Sequence, residues 1–294
     1  MLSSINPVYA VLVALLFNFI RHPAQSDNTL SRKLAPSNGF TGNVLLLTAH
    51  PDDECMFFAP TILALAAREQ PSDKRQKDKS SLYSLCLSTG DADGLGAIRP
   101  NELEKSLDIL NIDSTKRKII DHPDLQDNFT AAWDAQIIAD VVQPFVVENH
   151  IDTILTFDRH GISGHPNHKS LPLGVKELIP QVRLYTLIST PPVQKYVGIF
   201  APILAKIDLH FNRLLHSLEI QLERVLVALD ISVSSPTPDT ERREPVPVFV
   251  AGIREYWLAV QAMRAHSSQL VWFRWLYVGF SRYMWVNEWV EVVV

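Results

Sequence analysis

Short aliphatic runs alternate with stretches of helical periodicity between residues 44 and 188, and this alternation constrains the fold more than any other feature. It is typical of βα units that build a parallel sheet covered by helices. The pattern therefore predicts an α/β fold, a Rossmann-like three-layer sandwich with a mainly parallel sheet. The predicted strands are 44–48, 82–87, 118–120, 153–157 and 182–188. Helices are predicted from the turn at 49–54 to about residue 68, at 101–110 and at 132–147.

Charge and cysteine content narrow the class of protein. The chain has 27 Lys+Arg against 32 Asp+Glu, a net charge of −5. No overall basic field exists to attract nucleic acid, so we expect no nucleic-acid partner. The two cysteines, Cys55 and Cys86, form no CxxC pair, which argues against a disulfide framework or a structural zinc knuckle. We expect both to be buried as small apolar residues. The charged run at 73–79 is predicted to be a solvated loop.

The amino-terminal segment predicts contact with a membrane. Residues 1–20 carry no charged side chain, and 7–20 are almost wholly apolar. Such a segment is either a cleaved signal peptide or an uncleaved anchor. Basic residues follow the segment instead of preceding it: Arg21, Arg32 and Lys33. This order favours an anchor at residues 1–22, with the remainder of the chain facing the cytosol.

The carboxyl-terminal third departs from the βα pattern. An amphipathic stretch at 200–229 leads into a Pro- and Ser-rich linker at 232–247. Residues 270–285 combine aromatic side chains with spaced arginines, which suits either a helix in a membrane interface or a buried closing helix. The predicted organisation is therefore an anchor, a Rossmann-like domain, an insertion, and a carboxyl-terminal strand and aromatic-rich helix that complete the domain. Their ranges are 1–22, 41–190, 191–248 and 249–294.

The most reactive side chains follow two predicted strands, where open parallel sheets bind ligands. His50, Asp52 and Asp53 follow the first strand, and His165 and His168 follow the fourth. Two imidazoles and one carboxylate would hold a divalent metal and leave a position open, as in catalytic zinc sites. Neighbouring aspartates point in different directions, so one can hold the metal while the other moves protons.

Two other cofactor readings are weaker. Two histidines and a carboxylate also suit non-haem iron oxygenases, but the βα setting makes hydrolytic zinc the better expectation. Gly90, Gly94 and Gly96 do not form GxGxxG, and the first strand lacks that motif, so a dinucleotide fold is rejected.

Three motifs in order resemble those of the PIG-L (LmbE-like) zinc deacetylases. They are AHPDDE at 49–54, the Gly, Arg and Glu positions within 90–102, and SGHPNH at 163–168. The tail at 262–284 is similar to that of the eukaryotic membrane-bound branch, which de-N-acetylates N-acetylglucosaminyl-phosphatidylinositol. That reaction is the second step of GPI-anchor synthesis, at the cytoplasmic face of the endoplasmic reticulum. The resemblance covers roughly residues 41–190 and 255–286.

The resemblance implies roles for individual residues. It makes His50, Asp53 and His168 the zinc ligands, with another divalent metal as an alternative, and Asp52 the general base. It places His165, in protonated form, at the oxyanion or on the path of a proton. It also implies substrate contact by Arg99, with Glu102 and Glu54 supporting the site. Two departures from the family, the long insertion at 193–248 and the Arg159–His160 pair, affect local substrate contacts.

The implied reaction is hydrolysis of the acetamide of a lipid-linked sugar. A hydroxide formed with the help of Asp52 attacks the carbonyl, and the amine then leaves with a proton from either Asp52 or His165. The alternatives are a deacetylase of another N-acetyl sugar conjugate and a non-catalytic membrane scaffold with the same fold.

Overall fold

The structure is a computed structural model of the chain. It describes residues 7–26, 42–69, 81–178, 181–229 and 246–293. The charged run predicted as a loop at 73–79, and most of the predicted linker at 232–247, lie outside the described residues.

Eight strands of the described residues form one mixed sheet. They are β1 (Ala24–Gln25), β2 (Val44–Thr48), β3 (Leu82–Cys86), β4 (Arg117–Ile119), β5 (Thr153–Phe157), β6 (Arg183–Leu187), β7 (Val248–Val250) and β8 (Val286–Val292). Their order across the sheet is β1-β7-β8-β6-β5-β2-β3-β4. The five predicted strands are confirmed, each within one residue at its ends. The five strands β2 to β6 form a parallel block, and β8, β7 and β1 extend it with antiparallel pairings, so the sheet is mixed.

Ten α-helices lie in the described ranges. They are α1 (Pro7–Arg21), α2 (Ala59–Glu69), α3 (Arg99–Ile109), α4 (Ala135–Glu148), α5 (Gly161–Gly164), α6 (Pro166–Lys176), α7 (Pro192–Lys195), α8 (Phe200–Ala228), α9 (Ile253–Ala265) and α10 (Trp272–Phe280). A π-helical segment, Glu54–Phe58, leads into α2. Pro60 therefore lies in the first turn of α2, where its missing N–H costs no hydrogen bond inside α2.

The helices cover the sheet in two groups. The chain runs from β2 outward to β4 through α2 and α3, and then returns across β2 to reach β5 and β6 through α4 and α6. Because parallel crossovers are right-handed, the reversal places α4 and α6 on the face opposite to α2 and α3. Helix α9 packs against α2 and α3, and α4 packs against α6. This arrangement gives the predicted three layers, with the reversal of direction between β2 and β5.

The last strand ties the carboxyl-terminal segment into the core. Strand β8 lies between β6 and β7. Its buried Asn287 accepts hydrogen bonds from the backbone N–H and the hydroxyl of Thr61 through Oδ1, and donates to the Phe57 carbonyl through Nδ2. Trp289 is fully buried and donates to the Thr61 hydroxyl. The predicted carboxyl-terminal strand is therefore confirmed as part of the same core as the βα units.

The amino-terminal helix α1 exposes most of its apolar side chains, although Ile20 near its end is buried. The ammonium of Lys206 on α8 donates to the carbonyls of Phe19, Ile20 and His22. It thereby satisfies carbonyls that the end of α1 leaves without helical partners. Within the described ranges, none of the helices combines the length and the apolar character needed to cross a bilayer. The anchor predicted at 1–22 is therefore not confirmed and stays a prediction.

The aromatic segment predicted at 270–285 divides into two parts. Helix α10 exposes its large apolar side chains, including Trp272 at 76% and Phe280 at 56%. Ser281 ends the helix, and Tyr283 and Trp285 beyond it are buried. The alternative of a buried closing helix is therefore wrong for α10. The buried aromatic side chains of this segment belong instead to the turn that follows α10.

Candidate active site

The loop after β2 is shaped by its own carboxylate. Asp53 Oδ2 accepts the backbone N–H groups of Ala49 at 3.0 Å and His50 at 2.9 Å, which folds the turn back on itself. Asp52 lies at the sharpest point of this turn, with φ of 113°, a region that residues other than glycine rarely adopt. Strain of this kind persists only where the surroundings enforce it, and it is common at functional sites.

A buried glutamate enforces the conformation of Asp52. Glu54 Oε2 accepts the Asp52 backbone N–H at 3.0 Å. Its Oε1 accepts the Ser106 hydroxyl at 2.5 Å and lies 2.7 Å from His266 Nε2. Although burial opposes both charges, their mutual attraction raises the pKa of His266 and lowers that of Glu54. Glu54, Cys55 and His266 offer possible ligand atoms within 4.8 Å of one another. Because these hydrogen bonds engage both carboxylate oxygens of Glu54, we interpret this cluster as a support for the Asp52 backbone and not as a metal site.

The loop after β5 brings two imidazoles to the same place. Gly161 and Ile162 have φ of 61° and 58°, which turns the chain sharply before α6 begins. His165 caps α6, because its Nδ1 accepts the Asn167 backbone N–H at 3.2 Å. His168 lies one turn further along, so both imidazoles face the loop after β2. The resulting juxtaposition lies beyond the carboxyl ends of β2 and β5, where the sheet order reverses.

Three predicted ligands converge as a metal site requires. His168 Nε2 lies 3.2 Å from Asp53 Oδ1 and 3.3 Å from His50 Nδ1. His50 Nδ1 lies 3.9 Å from Asp53 Oδ2. Tetrahedral bonds of about 2.0–2.1 Å to one zinc ion place neighbouring ligand atoms roughly 3.3 Å apart. All three residues are at least nine-tenths buried. The donor atoms, their spacing and their burial fit a divalent metal.

Hydrogen bonds orient both imidazoles for this task. His168 Nδ1 lies 3.2 Å from the Gly161 carbonyl, which requires an N–H there and leaves Nε2 with its lone pair. His50 Nε2 lies 3.0 Å from Asn167 Oδ1, which leaves Nδ1 with its lone pair. In each ring the free nitrogen is the one that faces the other predicted ligands. Such partners fix the tautomer and orientation of metal-binding histidines.

His165 is a poorer ligand, although it belongs to the same cluster. Ring nitrogens of His50, His165 and His168 lie within 4.8 Å of one another. The Nδ1 of His165 already accepts the Asn167 N–H, so in the neutral ring the proton is on Nε2, which then has no lone pair for a metal. Burial, together with the charges of His50 and His168, lowers the pKa of His165 to about 4. A neutral His165 that donates through Nε2 therefore fits this site better than the protonated form expected from the resemblance.

The two neighbouring aspartates have different surroundings. Burial raises the pKa of Asp53, but the imidazoles of His168 and His50 outweigh it and hold that pKa well below its ordinary value. Burial raises the pKa of Asp52, and the guanidinium groups of Arg274 and Arg99 offset only part of this effect. Asp52 Oδ2 lies 3.0 Å from Arg274 Nη2, but within the described part of the chain it has no partner in hydrogen-bond geometry. Its oxygen is therefore available to take a proton.

Arg99 lies at the site but is largely committed to protein groups. Its guanidinium donates to the carbonyls of Gly90 at 2.9 Å and Pro51 at 2.5 Å, and it lies 3.6 Å from Asp52 Oδ2. Glu102 faces away from the metal cluster and accepts hydrogen bonds from Ser267 and Ser268. The placement of Glu102 fits the supporting role expected for it.

Sequence reasoning missed three residues of the site. Asp127 lies beside two predicted residues, with Oδ1 3.2 Å from His50 Nε2 and Oδ2 3.4 Å from Arg99 Nη1. It follows β4, whose carboxyl end belongs to the same sheet edge, and this topology was the available signal. Asn167 was inside a quoted motif but had no role assigned. Arg274 comes from α10, and no local pattern links that helix to Asp52.

A large cavity connects these groups to the surface. Its volume is about 1050 Å³. The metal cluster and Asp52 lie on one part of its wall, and side chains of α7 and α10 form another, namely Lys195, Tyr196, Phe273, Arg274, Leu276, Tyr277 and Phe280. One cavity is therefore lined both by the polar, titratable groups of the site and by apolar side chains that are exposed on α10.

The family model and the related proteins that match this chain all carry the same description. The family described as PIG-L, GlcNAc-PI de-N-acetylase, matches residues 45–179. The N-acetylglucosaminyl-phosphatidylinositol de-N-acetylase of Bos taurus is 36% identical over 250 residues, which covers 85% of this chain and 83% of that protein. The protein of that name from Saccharomyces cerevisiae is 30% identical over 299 residues and covers 98% of this chain and 94% of its own.

Solved structures agree on the fold. The crystal structure of a deacetylase–bog complex from the teicoplanin biosynthesis pathway is similar, with a TM-score of 0.50 and 14% sequence identity. The match covers 85% of this chain and 98% of that one. At this identity the similarity concerns the arrangement of the sheet and helices alone.

Proposed function

The chain belongs to the PIG-L family of GlcNAc-PI de-N-acetylases, and from this premise we propose how its residues carry out the reaction. The reaction is hydrolysis of the acetamide of N-acetylglucosaminyl-phosphatidylinositol, which yields glucosaminyl-phosphatidylinositol and acetate, a step of GPI-anchor biosynthesis. One observation carries the assignment to this site. His168 Nε2 lies close to both His50 Nδ1 and Asp53 Oδ1, beside the carboxylate of Asp52, whose Oδ2 has no hydrogen-bond partner among the described residues.

We assign the metal to His50, Asp53 and His168, and zinc is the metal that this donor set suits best. When bound, a zinc ion supplies Lewis acidity, which makes water more acidic and an amide carbonyl more electrophilic. The three residues hold that charge at one fixed point of the cavity wall. Gly161 and Asn167 keep both imidazoles in the tautomers that this task requires.

Asp52 is the general base in this proposal. Its Oδ2 takes a proton from the attacking water, and the neighbouring Arg274 stabilises the carboxylate before the transfer. The water oxygen bonds to the acetamide carbon, and the carbonyl oxygen becomes an oxyanion. His165 donates its Nε2–H to that oxyanion. Loss of one such donor commonly costs on the order of 10²–10³ in rate.

Collapse of the tetrahedral species completes the hydrolysis. The bond between the acetyl carbon and the sugar nitrogen breaks, and the nitrogen takes a proton as the amine leaves. Asp52 returns the proton that it accepted, or His165 supplies one after it has itself been protonated, since a neutral imidazole cannot protonate the amine. Both donors belong to the same cavity wall, so the proposal retains both.

We further propose that α10 faces a lipid bilayer. Its Phe273, Leu276 and Phe280 are exposed and line the cavity that leads to the metal cluster. A lipid-linked sugar keeps its acyl chains in the bilayer, so an apolar rim at the cavity mouth fits that substrate. The family resemblance supports a location at the cytoplasmic face of the endoplasmic reticulum, and the apolar residues 1–22 support an added membrane contact there.

The decisive experiment measures acetate release from N-acetylglucosaminyl-phosphatidylinositol by the full chain in lipid or detergent. We expect a chelator to abolish release and added zinc to restore it. A water-soluble N-acetylglucosamine glycoside serves as the comparison substrate. Release from the glycoside alone would assign another N-acetyl sugar conjugate. Failure to release acetate from either substrate, by a folded and zinc-loaded protein, would favour a non-catalytic scaffold.

A further inference from the structure

Lys195, on the short helix α7, is a buried cation in the cavity. Its side chain is 8% exposed, and its ammonium donates to the Ile162 carbonyl at 3.2 Å. It also lies 5.4 Å from the centre of the Tyr196 ring. No carboxylate of the described residues lies within ion-pair distance of it. An ammonium has three N–H donors, so two of them have no strong acceptor in the described structure.

Other basic side chains of the described structure have the partners that Lys195 lacks. Arg99 lies beside Asp127 and Asp52, and Arg274 lies beside Asp52. Lys206, also buried, gives its ammonium to three backbone carbonyls of the α1 terminus. A buried charge without a counter-charge is costly, so such groups normally meet an anion or a full set of hydrogen bonds. Lys195 has neither, and it lines the cavity that admits the substrate.

The position of Lys195 relates it to both ends of the substrate. On one side it contacts Ile162, in the loop that leads to His165 and His168. On the other side its neighbour Tyr196 packs edge-on against Tyr277 of α10, with ring centres 6.5 Å apart. The Gly198 N–H also donates to the Phe280 carbonyl. Lys195 therefore lies between the metal cluster and the apolar helix α10.

We propose that Lys195 binds the phosphodiester of the lipid-linked substrate. This inference rests on the proposed function, in which the acetamide reaches the metal cluster and the lipid lies along α10. The phosphodiester is the anionic link between the sugar–inositol unit and the lipid, so it lies where Lys195 has free donors. Lysine binds phosphate as a compact point charge. Lys195 then determines substrate specificity, because its charge favours binding of the phosphorylated conjugate over a neutral N-acetylglucosamine glycoside.

The test compares two water-soluble probes that differ only in the phosphate, N-acetylglucosaminyl-inositol phosphate and N-acetylglucosaminyl-inositol. The full zinc-loaded chain is used, with kcat/KM for each probe and calorimetric binding as a separate readout. We expect wild type to prefer the phosphorylated probe by about 10- to 100-fold, the range for a hydrogen bond to a charged group. Lys195→Gln should reduce this preference to within about threefold of unity, because Gln can still donate to Ile162 but carries no charge. Lys195→Arg should retain most of it.

Lys118→Gln is the matched control, since it removes one positive charge from an exposed residue of β4. Its preference should equal that of wild type. An unchanged preference in Lys195→Gln would overturn the proposal. An equal loss on both probes would assign Lys195 to positioning the Ile162 loop instead. A change confined to binding of phosphatidylcholine vesicles would assign it to bilayer phosphates, which also overturns the proposal. If wild type deacetylates neither probe, acetate release from N-acetylglucosaminyl-phosphatidylinositol decides the proposed function, and the calorimetric preference still decides the role of Lys195.

Discussion

Asp52 and Asp53 are adjacent and chemically identical, yet the fold gives them different surroundings, and the proposed function assigns them different tasks. Asp53 is held by two backbone N–H groups and faces His168, whereas Asp52 is strained, buried and close to Arg274. The difference arises because the Asp52 backbone adopts φ of 113°, which turns successive side chains in different directions. Glu54 stabilises that conformation through the Asp52 N–H. A separation of roles at neighbouring positions thus depends on one buried hydrogen bond.

The first prediction tests this separation with two equivalent substitutions. Asp52→Asn should retain bound zinc while turnover falls by about 10²–10⁴, the contribution typical of a general base. Asp53→Asn should lose both zinc and activity, because the amide weakens one ligand of three. Metal content by mass spectrometry and acetate release measure the two effects. A fully active Asp52→Asn protein would remove the base assignment, and loss of zinc from both variants would contradict the division of roles.

Residue identities were predictable from the sequence where motif and strand order coincide. The predicted site residues follow two parallel strands whose carboxyl ends lie at the same edge of the sheet, so their proximity could be predicted from the sequence alone. These residues are His50, Asp52, Asp53, His165 and His168. Arg274 was not predictable. Its contact with Asp52 joins positions 222 residues apart through α10, and no local spacing encodes such a contact.

At the scale of elements, the glycine-rich loop after β3 positions Arg99. Gly90 and Gly94 both have φ of +72°. A Cβ at Gly90 would lie 2.6 Å from the Arg99 guanidinium, whereas a Cβ at Gly94 would meet nothing within 4 Å. Both glycines thus allow a positive φ, and only Gly90 also leaves space for the Arg99 guanidinium. This is the function of a loop whose glycine spacing excludes a dinucleotide site.

The second prediction uses these glycines as a matched pair. Both Gly90→Ala and Gly94→Ala should lose about 1 kcal/mol of stability, the usual cost of a left-handed conformation for alanine. Gly90→Ala should also lower kcat/KM by about tenfold or more, because Arg99 must leave the Gly90 and Pro51 carbonyls. Thermal unfolding and acetate-release kinetics separate the effects. Equal kcat/KM in the two variants would show that the position of Arg99 does not matter.

Element boundaries were predictable for β2 to β6 and were not for the remaining strands. β1 and β7 have two and three residues, too few for a period of two to be visible. The aromatic segment at 270–285 shows a second limit. Its composition suits both lipid and core, and the structure places α10 at the surface and Trp285 in the core.

At the scale of the whole molecule, three helices of the described structure, α1, α8 and α10, carry many exposed apolar side chains. Soluble monomers rarely expose apolar patches larger than a few hundred Å². Of the three, α10 forms part of the cavity wall, so its exposed face and the catalytic groups belong to one continuous surface. In the proposed function, a substrate can therefore reach the proposed metal site while its lipid stays next to α10.

The third prediction tests the lipid-facing role of α10. Trp272 and Trp275 are exposed on α10 and are not among the residues that line the cavity. Replacing both by alanine should reduce sedimentation with phosphatidylinositol-containing vesicles by about tenfold or more, since each large apolar side chain buried is worth roughly 1.5–3 kcal/mol. Activity on a water-soluble probe should not change. Replacing Val147 and Leu173, exposed apolar residues of α4 and α6, controls for loss of surface hydrophobicity. Equal vesicle binding by both double variants would exclude α10 as the lipid contact.

The place of β8 in the sheet sets the order in which the protein can be completed during synthesis. The ribosome makes Val286–Val292 after every other element described, yet this strand joins β6 to β7, and β7 joins β1 to the rest. The βα block that carries His50 and His168 can therefore form while the chain is still growing, but β1 must wait for β7 and β8 before it joins the sheet. A nascent chain thus carries the proposed ligand residues early and completes its sheet only once β8 has been made.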